Sequence, residues 1–189
     1  VFTPEESLRI LEQAKRLGLG GKLHADEVDS LGGAELAAKA KCLTAEHLVA
    51  ASAQGILDMA KQNVIAVLLP ATSFYLDKPF APARDMLDKG LAIALGTDFN
   101  PGSSPNLNMQ FAMSCACLRL RMTPEEVLTA ATLNSAAAVG LAEQTGSLEA
   151  GKQADLVLWD APDLAYIFYR YGSNLVHSVV KNGVLYAAA

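Results

Sequence analysis

The sequence predicts an α/β protein built on a parallel sheet. Strand-like apolar runs alternate with helix-like stretches four times before residue 146. Two of these runs, at 64–69 and 91–95, are continuously apolar, which is typical of parallel strands buried on both faces. A threonine followed by a proline and two glutamates occurs at Thr3 and again at Thr123, and this pattern marks the start of a helix.

Start and stop signals give the order of the elements. Gly18 ends the first helix, Ser52 caps the third, Pro70 stops the third strand and Gly90 ends the fourth helix. The predicted strands are 21–25, 41–43, 64–69 and 91–95, and the second of them leads into Glu46 and His47. The predicted helices are 4–17, 33–40, 53–61, 82–89, 109–120 and 124–139.

The pattern changes after Gly146. Residues 154–159 and 177–186 read as strands, and the second segment contains an Asn182-Gly183 turn. This small β unit has only about 40 residues, too few to fold alone. We therefore expect two regions, an α/β region over residues 1–145 and a β region over residues 146–189.

Composition restricts the class of partner. With 51% hydrophobic residues, a net charge of −5 and a pI near 5.2, the chain suits a large core and neither nucleic acid nor an anionic membrane. No apolar run reaches the roughly 18 residues that span a bilayer, and we expect no secretory signal. Three irregularly spaced cysteines predict reduced thiols and a cytoplasmic protein.

Two segments at the ends of predicted strands carry the candidate site. His24 lies at the end of the first strand, with Glu27 close behind it, and Asp98 follows the fourth. Sites in parallel α/β proteins form where strands end, so His24 and Asp98 are candidate ligands of one metal ion. Glu27 and His47 are candidate proton carriers beside it. Residues 100–104 form a turn whose free N–H groups and small side chains suit a carboxylate or an amide.

Each candidate also has a structural interpretation. His24 and His47 fit satisfied structural histidines, and Asp98 fits a residue that caps the following loop. An unpaired carboxylate three positions after a run of five apolar residues is costly, which favours a nearby metal or cation for Asp98. His177, in the late β unit, is assigned to structure.

These residue types suit metal-assisted hydrolysis. A divalent ion activates water and polarises a carbonyl, and a carboxylate beside it moves the proton to the leaving nitrogen. Asp98 would serve as ligand and base, and Glu27 as the acid or base nearer the substrate.

At these motifs the chain resembles the C-terminal half of the imidazolonepropionase family of the amidohydrolase superfamily. The Asp-Phe-Asn-Pro-Gly-Ser-Ser loop at residues 98–104 is the most specific match. The segment at residues 146–155, in contrast, is shared across the superfamily. The matching segments are KLHADE (22–27), LGGAELA (31–37), EHL (46–48), VLLP (67–70), APAR (81–84), TDFNPGSSP (97–105), MTPEE (122–126) and GSLEAGKQAD (146–155).

The resemblance implies strands five to eight of a (β/α)8 barrel and part of a flanking β-sandwich. The implied reaction is the ring-opening hydrolysis of 4-imidazolone-5-propanoate to N-formimino-L-glutamate, with one zinc or iron ion. It also implies roles for residues of this chain. His24 and Asp98 would be metal ligands, Glu27, His47 and Asp98 would be catalytic, and Glu27, Asn100, Gly102 and Ser103 would bind the substrate.

The family's His-x-His metal-binding pair does not occur in this sequence. We therefore expect activity only when the chain is joined to its N-terminal half, and we expect the chain to be ordered only against that half or against another copy of itself. Two alternatives stay open: a metal-free half-barrel with a structural or binding role, and another amidohydrolase acting on a cyclic amide or an aminated heterocycle. An open half-barrel would leave unpaired edges at its first and fourth strands.

Overall fold

A computed structural model describes residues 2–187 and confirms an α/β fold with a parallel sheet. The sheet has the order β1-β2-β3-β4, so each strand lies beside the next in the chain. Its strands are β1 (Lys22–Ala25), β2 (Thr44–His47), β3 (Ile65–Leu68) and β4 (Ile93–Leu95). The helices are α1 (Pro4–Arg16), α2 (Gly33–Ala40), α3 (Ala53–Lys61), α4 (Pro70–Tyr75), α5 (Ala83–Asp88), α6 (Met109–Arg119), α7 (Pro124–Ala131), α8 (Leu133–Ala138) and α9 (Leu164–Tyr169).

The two faces of the parallel sheet differ in burial. One face packs against the helices and carries the buried residues Ala25, Ala45, Ala66, Leu68, Ile93 and Leu95. On the opposite face Thr44 and Ala94 are buried, but His24 is exposed and Glu46, Ile65 and Val67 are half-buried. Among residues 2–187, the sheet is therefore covered by helices on one side and open on the other.

The second strand lies three residues later than predicted. Lys41 adopts a left-handed conformation, with φ of 54°, and ends α2. The amide of Cys42 then donates to Ala37 O, so the strand begins only at Thr44. Glu46 and His47 consequently belong to β2 itself and do not follow it.

The last predicted helix of the α/β region is two helices. The break falls at Thr132, whose φ and ψ are −120° and −87°. The break allows α8 to reach the outer edge of β4, where Asn134 Nδ2 donates to Ile93 O at 2.8 Å and Ser135 Oγ donates to Leu95 O at 2.9 Å. The expected unpaired edge at the fourth strand is therefore wrong, because side chains of α8 bond to it.

A second sheet of order β5-β6-β7 follows, with β5 (Leu156–Trp159), β6 (Val176–Lys181) and β7 (Val184–Ala187) antiparallel. The predicted Asn182-Gly183 turn joins β6 to β7, and both residues have positive φ, as this tight hairpin requires. Helix α9 was not predicted, and its Ile167 and Phe168 enter the main core. In the described part of the chain, no helix is long and apolar enough to cross a membrane.

Candidate functional site

Two histidines meet at the ends of adjacent strands. His24 lies in β1 and His47 is the last residue of β2, and His24 Nδ1 is 3.1 Å from His47 Nε2. The φ of 68° at His47 breaks the alternation of side chains along the strand. His47 is 4% exposed whereas His24 faces solvent, so the pair joins the core to the open side of the sheet.

Glu27 approaches the same pair from the loop after β1. Its Oε1 lies 3.8 Å from His47 Nδ1, and its side chain is 42% exposed. Burial lowers the pKa of His47 below its ordinary value, while the charges of Glu27 and Asp98 oppose that shift. His47 is thus neutral near pH 7 and able to accept a proton beside two carboxylates.

Asp98 follows β4 in a left-handed conformation, with φ of 53°. Thr72, at the start of α4, donates a hydrogen bond of 2.7 Å to Asp98 Oδ2. Because the four strands are parallel, Asp98 after β4 lies at the same end of the sheet as His24 and His47 at the ends of β1 and β2. The structure therefore gathers His24, Glu27, His47 and Asp98 in one region.

The loop after Asp98 was expected to have free backbone N–H groups, and the structure differs on this point. Asn100 Oδ1 accepts hydrogen bonds from the backbone amides of Gly102 and Ser103, both at 2.8 Å. Asn100 Nδ2 donates to Asp98 O at 2.8 Å and to Ser103 Oγ at 2.9 Å. The predicted free N–H groups of Gly102 and Ser103 are therefore bonded within the loop, because the Asn100 side chain closes the turn and fixes Asp98.

The structure gives two residues near the site, Asp26 and Thr72, roles that the sequence did not predict. Asp26 is 7% exposed and accepts hydrogen bonds from the amides of Leu31, Gly33 and Ala34, so it caps α2. The Gly32-Gly33 pair, which brings backbone close to the strand end, was the available signal for this cap. No sequence pattern pointed to Thr72, because its contact with Asp98 spans 26 positions.

The side chains of the site are of the types that bind a divalent metal ion, but they are too few to complete its coordination shell. Imidazole and carboxylate groups at His24, His47 and Asp98 are ordinary ligands of zinc. Yet within residues 2–187 no group of three or more such side chains is arranged to hold an ion. These residues therefore fit part of a metal site.

The enclosed space beside His47 is too small for a substrate. A cavity of about 10 Å³ lies between His47, Leu68, Ser73 and Leu120, which is room for at most one water molecule. His24 is exposed on the open face of the sheet and the Glu27 side chain is 42% exposed, so a larger molecule can reach both from solvent.

Known proteins resemble this chain in sequence over nearly its whole length. It is 52% identical over 188 residues to an imidazolonepropionase from Brevibacillus brevis, covering 100% of this chain and 44% of that protein. It is 53% identical over 186 residues to an imidazolonepropionase from Bacillus cytotoxicus, covering 98% and 44%. The chain thus spans less than half the length of the curated relatives it matches.

Solved structures share the fold at lower identity. An adenosine deaminase from Xanthomonas campestris with bound zinc superposes with a TM-score of 0.84 at 24% identity, covering 98% of this chain and 49% of that one. An atrazine chlorohydrolase variant from Arthrobacter aurescens, complexed with zinc and atraton, gives 0.81 at 22% identity, covering 97% and 47%. The model of the amidohydrolase family matches residues 3–186. Since that match takes in almost the entire sequence, this chain belongs to the amidohydrolase family.

Proposed function

We propose that this chain supplies one half of an enzyme that hydrolyses 4-imidazolone-5-propanoate to N-formimino-L-glutamate. The observation that carries the proposal is the convergence of His24, Glu27, His47 and Asp98 in one region of the structure. Identity of 52% to imidazolonepropionases supports the choice of substrate. The complete enzyme requires the part of those relatives that this chain does not span.

The proposed architecture is strands five to eight of a (β/α)8 barrel over residues 1–145 and part of a β-sandwich over residues 146–189. The parallel order β1-β2-β3-β4 with one open face supports the half-barrel. The antiparallel sheet β5-β6-β7 supports the second region.

His24 and Asp98 are the proposed ligands of a single zinc or iron ion, which would polarise the substrate carbonyl and activate water when bound. Further ligands would come from the remainder of the enzyme, since residues 2–187 hold no complete set. Bound zinc in the adenosine deaminase of similar fold is consistent with this assignment.

Proton transfer falls to Glu27, His47 and Asp98. Asp98 accepts the proton of the attacking water, and Glu27, exposed on the open side, delivers a proton to the leaving ring nitrogen. His47, held neutral by burial, accepts or returns a proton between the two carboxylates. Asn100, Gly102 and Ser103 contact the substrate once the Asn100 amide exchanges a bond within the loop for one to the substrate.

One alternative has an observation in its favour. Because residues 2–187 hold no group of three or more metal-binding side chains, the chain could serve as a metal-free structural or binding unit. This alternative predicts that the full-length protein contains no stoichiometric metal.

Substitutions in the full-length protein test the proposal. Asp98→Asn should lower kcat about 10²- to 10⁴-fold, because a ligand charge and a proton acceptor are lost together. Glu27→Gln should lower kcat while leaving the metal content near that of the parent. Asp29→Asn, an exposed carboxylate in the same loop as Glu27, is the matched control.

The measurements are metal content and the rate of ring opening. A full-length parent protein without metal, or without ring-opening activity, would refute the proposal. Loss of the metal in Glu27→Gln would show that Glu27 is a ligand and not a proton carrier.

A further inference from the structure

Asp98 is fixed by a neighbouring hydroxyl group. Thr72 is 3% exposed, and its Oγ1 donates to Asp98 Oδ2 over 2.7 Å. A short hydrogen bond from a buried hydroxyl to a carboxylate is stronger than one between neutral groups. Its loss would leave one carboxylate oxygen without that donor.

The fold places Thr72 rigidly. Helix α4 begins at Pro70, two residues after β3 ends, and its first four residues are buried. Phe74 of α4 packs edge-on against Phe111 of α6, with ring centroids 5.0 Å apart. The hydroxyl of Thr72 is therefore anchored by the buried first turn of α4, which directly follows a core strand, while the partly exposed Phe74–Phe111 contact joins α4 to α6.

The hydrogen bond distinguishes the two oxygens of Asp98. In the described part of the chain, Oδ2 accepts from Thr72 whereas Oδ1 accepts no hydrogen bond. The backbone of Asp98 is also tethered, because its carbonyl accepts from Asn100 Nδ2 at 2.8 Å. One oxygen is thus held in place and the other is left available.

We propose that Thr72 is a positioning residue that holds Asp98 Oδ2 and so presents Asp98 Oδ1 to the metal ion and the water. This inference rests on the proposed function for the identity of the ion and the reaction. Residues that hydrogen-bond to metal ligands orient them, and their loss typically lowers metal affinity or activity about 10- to 100-fold.

The test compares Thr72→Val, which removes the hydroxyl at nearly constant shape, with Thr72→Ser, which keeps it. Thr72→Val in the full-length protein should weaken metal binding about 10- to 100-fold in competition with a chromogenic chelator. It should lower kcat more than it raises KM, and Thr72→Ser should recover most of both losses. Ser114→Ala, which removes another buried hydroxyl that donates to Gln110 O at 2.9 Å, controls for general loss of stability.

A second measurement needs no metal. In the metal-free protein, amide hydrogen exchange at residues 97–104 should be faster in Thr72→Val than in the parent or in Thr72→Ser. Ser114→Ala should leave exchange in this loop unchanged.

The outcomes separate this inference from the proposed function. If the parent binds metal and opens the ring but Thr72→Val retains both properties, the role of Thr72 is refuted and the proposed function stands. If Thr72→Ser is as impaired as Thr72→Val, the methyl group and not the hydroxyl matters, which also refutes it. If the parent neither binds metal nor opens the ring, the proposed function fails, and the exchange data alone decide whether Thr72 holds the Asp98 loop.

Discussion

His47 shows how opposing forces set the state of a single residue. Burial disfavours its charged form, whereas Glu27 and Asp98 favour that form. Burial is the larger effect, so the pKa of His47 falls below the ordinary value of 6.5. A neutral imidazole next to His24 Nδ1 is compatible with a hydrogen bond between the two rings.

The lowered pKa of His47 predicts how stability changes with pH. The unfolded chain binds a proton at His47 at higher pH than the folded chain does, so the free energy of unfolding should decrease as pH falls below 6.5. His47→Asn should reduce this decrease in urea unfolding between about pH 7.5 and pH 5.5. His177→Asn, at an exposed position of β6, is the control and should keep the parental slope. An unchanged slope in His47→Asn would contradict the prediction.

At the residue scale, the sequence indicated which residues lie at strand ends, but it did not indicate which residues far apart in the chain contact each other. His24 and Asp98 could be singled out because polar residues that directly follow apolar runs lie at strand ends. The contact of Thr72 with Asp98 joins residues 26 positions apart, and no local pattern encodes it. Asp26 stood out as polar, yet its donors are the amide of Leu31 in the following loop and those of Gly33 and Ala34 at the start of α2, and the sequence did not reveal the loop shape that places them.

At the scale of elements, α2 depends on the loop that precedes it. Its N-cap residue, Gly32, has a positive φ and no side chain, so Asp26 supplies the missing acceptor from the end of β1. A Cβ at Gly33 would lie 2.8 Å from Ala25 Cβ, which shows how closely the helix start approaches the strand. One carboxylate therefore joins a strand to the next helix.

This geometry predicts a large effect of Asp26→Ala. Three amides lose their acceptor, and burying unsatisfied donors costs about 1–3 kcal/mol, so the free energy of unfolding should fall by at least that much. Asp163→Ala, which removes a cap of α9 that accepts from Tyr166 N alone, should cost about 1 kcal/mol. Chemical denaturation of both variants tests whether Asp26→Ala lowers the free energy of unfolding more than Asp163→Ala does. Equal losses would show that the extra bonds of Asp26 add nothing.

The Arg84–Glu126 ion pair joins α5 to α7 and predicts a second pH effect. Arg84 Nη2 and Nη1 lie 2.7 and 3.0 Å from the two oxygens of Glu126, and this bonding holds the pKa of Glu126 below its ordinary value of 4.5. A carboxyl group whose pKa is lowered by folding stabilises the folded state fully at pH values above its ordinary pKa. This stabilisation is lost as the pH falls through the lower pKa of the folded state. Glu126→Gln should therefore lower the melting temperature at neutral pH and have little effect in acid.

A matched variant isolates the ion pair from the helix cap. Glu6 forms the same capping box with Thr3 as Glu126 forms with Thr123. Glu6→Gln should therefore cost less than Glu126→Gln at neutral pH, and thermal melting at both pH values compares them. If the two variants lose equal stability at neutral pH, the pair with Arg84 contributes nothing.

Elements with local signals could be predicted, and those set by tertiary contacts could not. Both capping boxes begin their helices at the predicted residues. The break at Thr132 was missed, because it is stabilised by bonds from Asn134 and Ser135 to β4. The start of β2 was misplaced because the C-terminal cap of α2 uses the backbone of residues 41 and 42.

At the scale of the whole molecule, one face of the parallel sheet has no helices packed against it in the described part of the chain. Ile65 and Val67 are half-buried there, and Glu46 Oε2 on the same face is buried without a hydrogen-bond partner in the described part of the chain. Buried polar atoms normally have a partner, which for this oxygen can be water, an ion or a donor from another polypeptide segment. The two edges of the sheet differ as well, since side chains of α8 bond to the outer edge of β4 whereas, within residues 2–187, β1 pairs with β2 alone.

This asymmetry predicts how the 189-residue chain behaves alone and with the rest of the enzyme. Alone it should self-associate with rising concentration, because the apolar part of the open face, at Ile65 and Val67, and an unpaired edge at β1 promote association. Mixed with the remaining part of the enzyme as a separate polypeptide, it should form a one-to-one complex by sedimentation. Val67→Lys, on the open face, should weaken both associations, whereas Leu57→Lys, exposed on α3, should leave them unchanged. A well-folded monomer with cooperative melting and no binding of an apolar dye would show instead that the open face needs no partner.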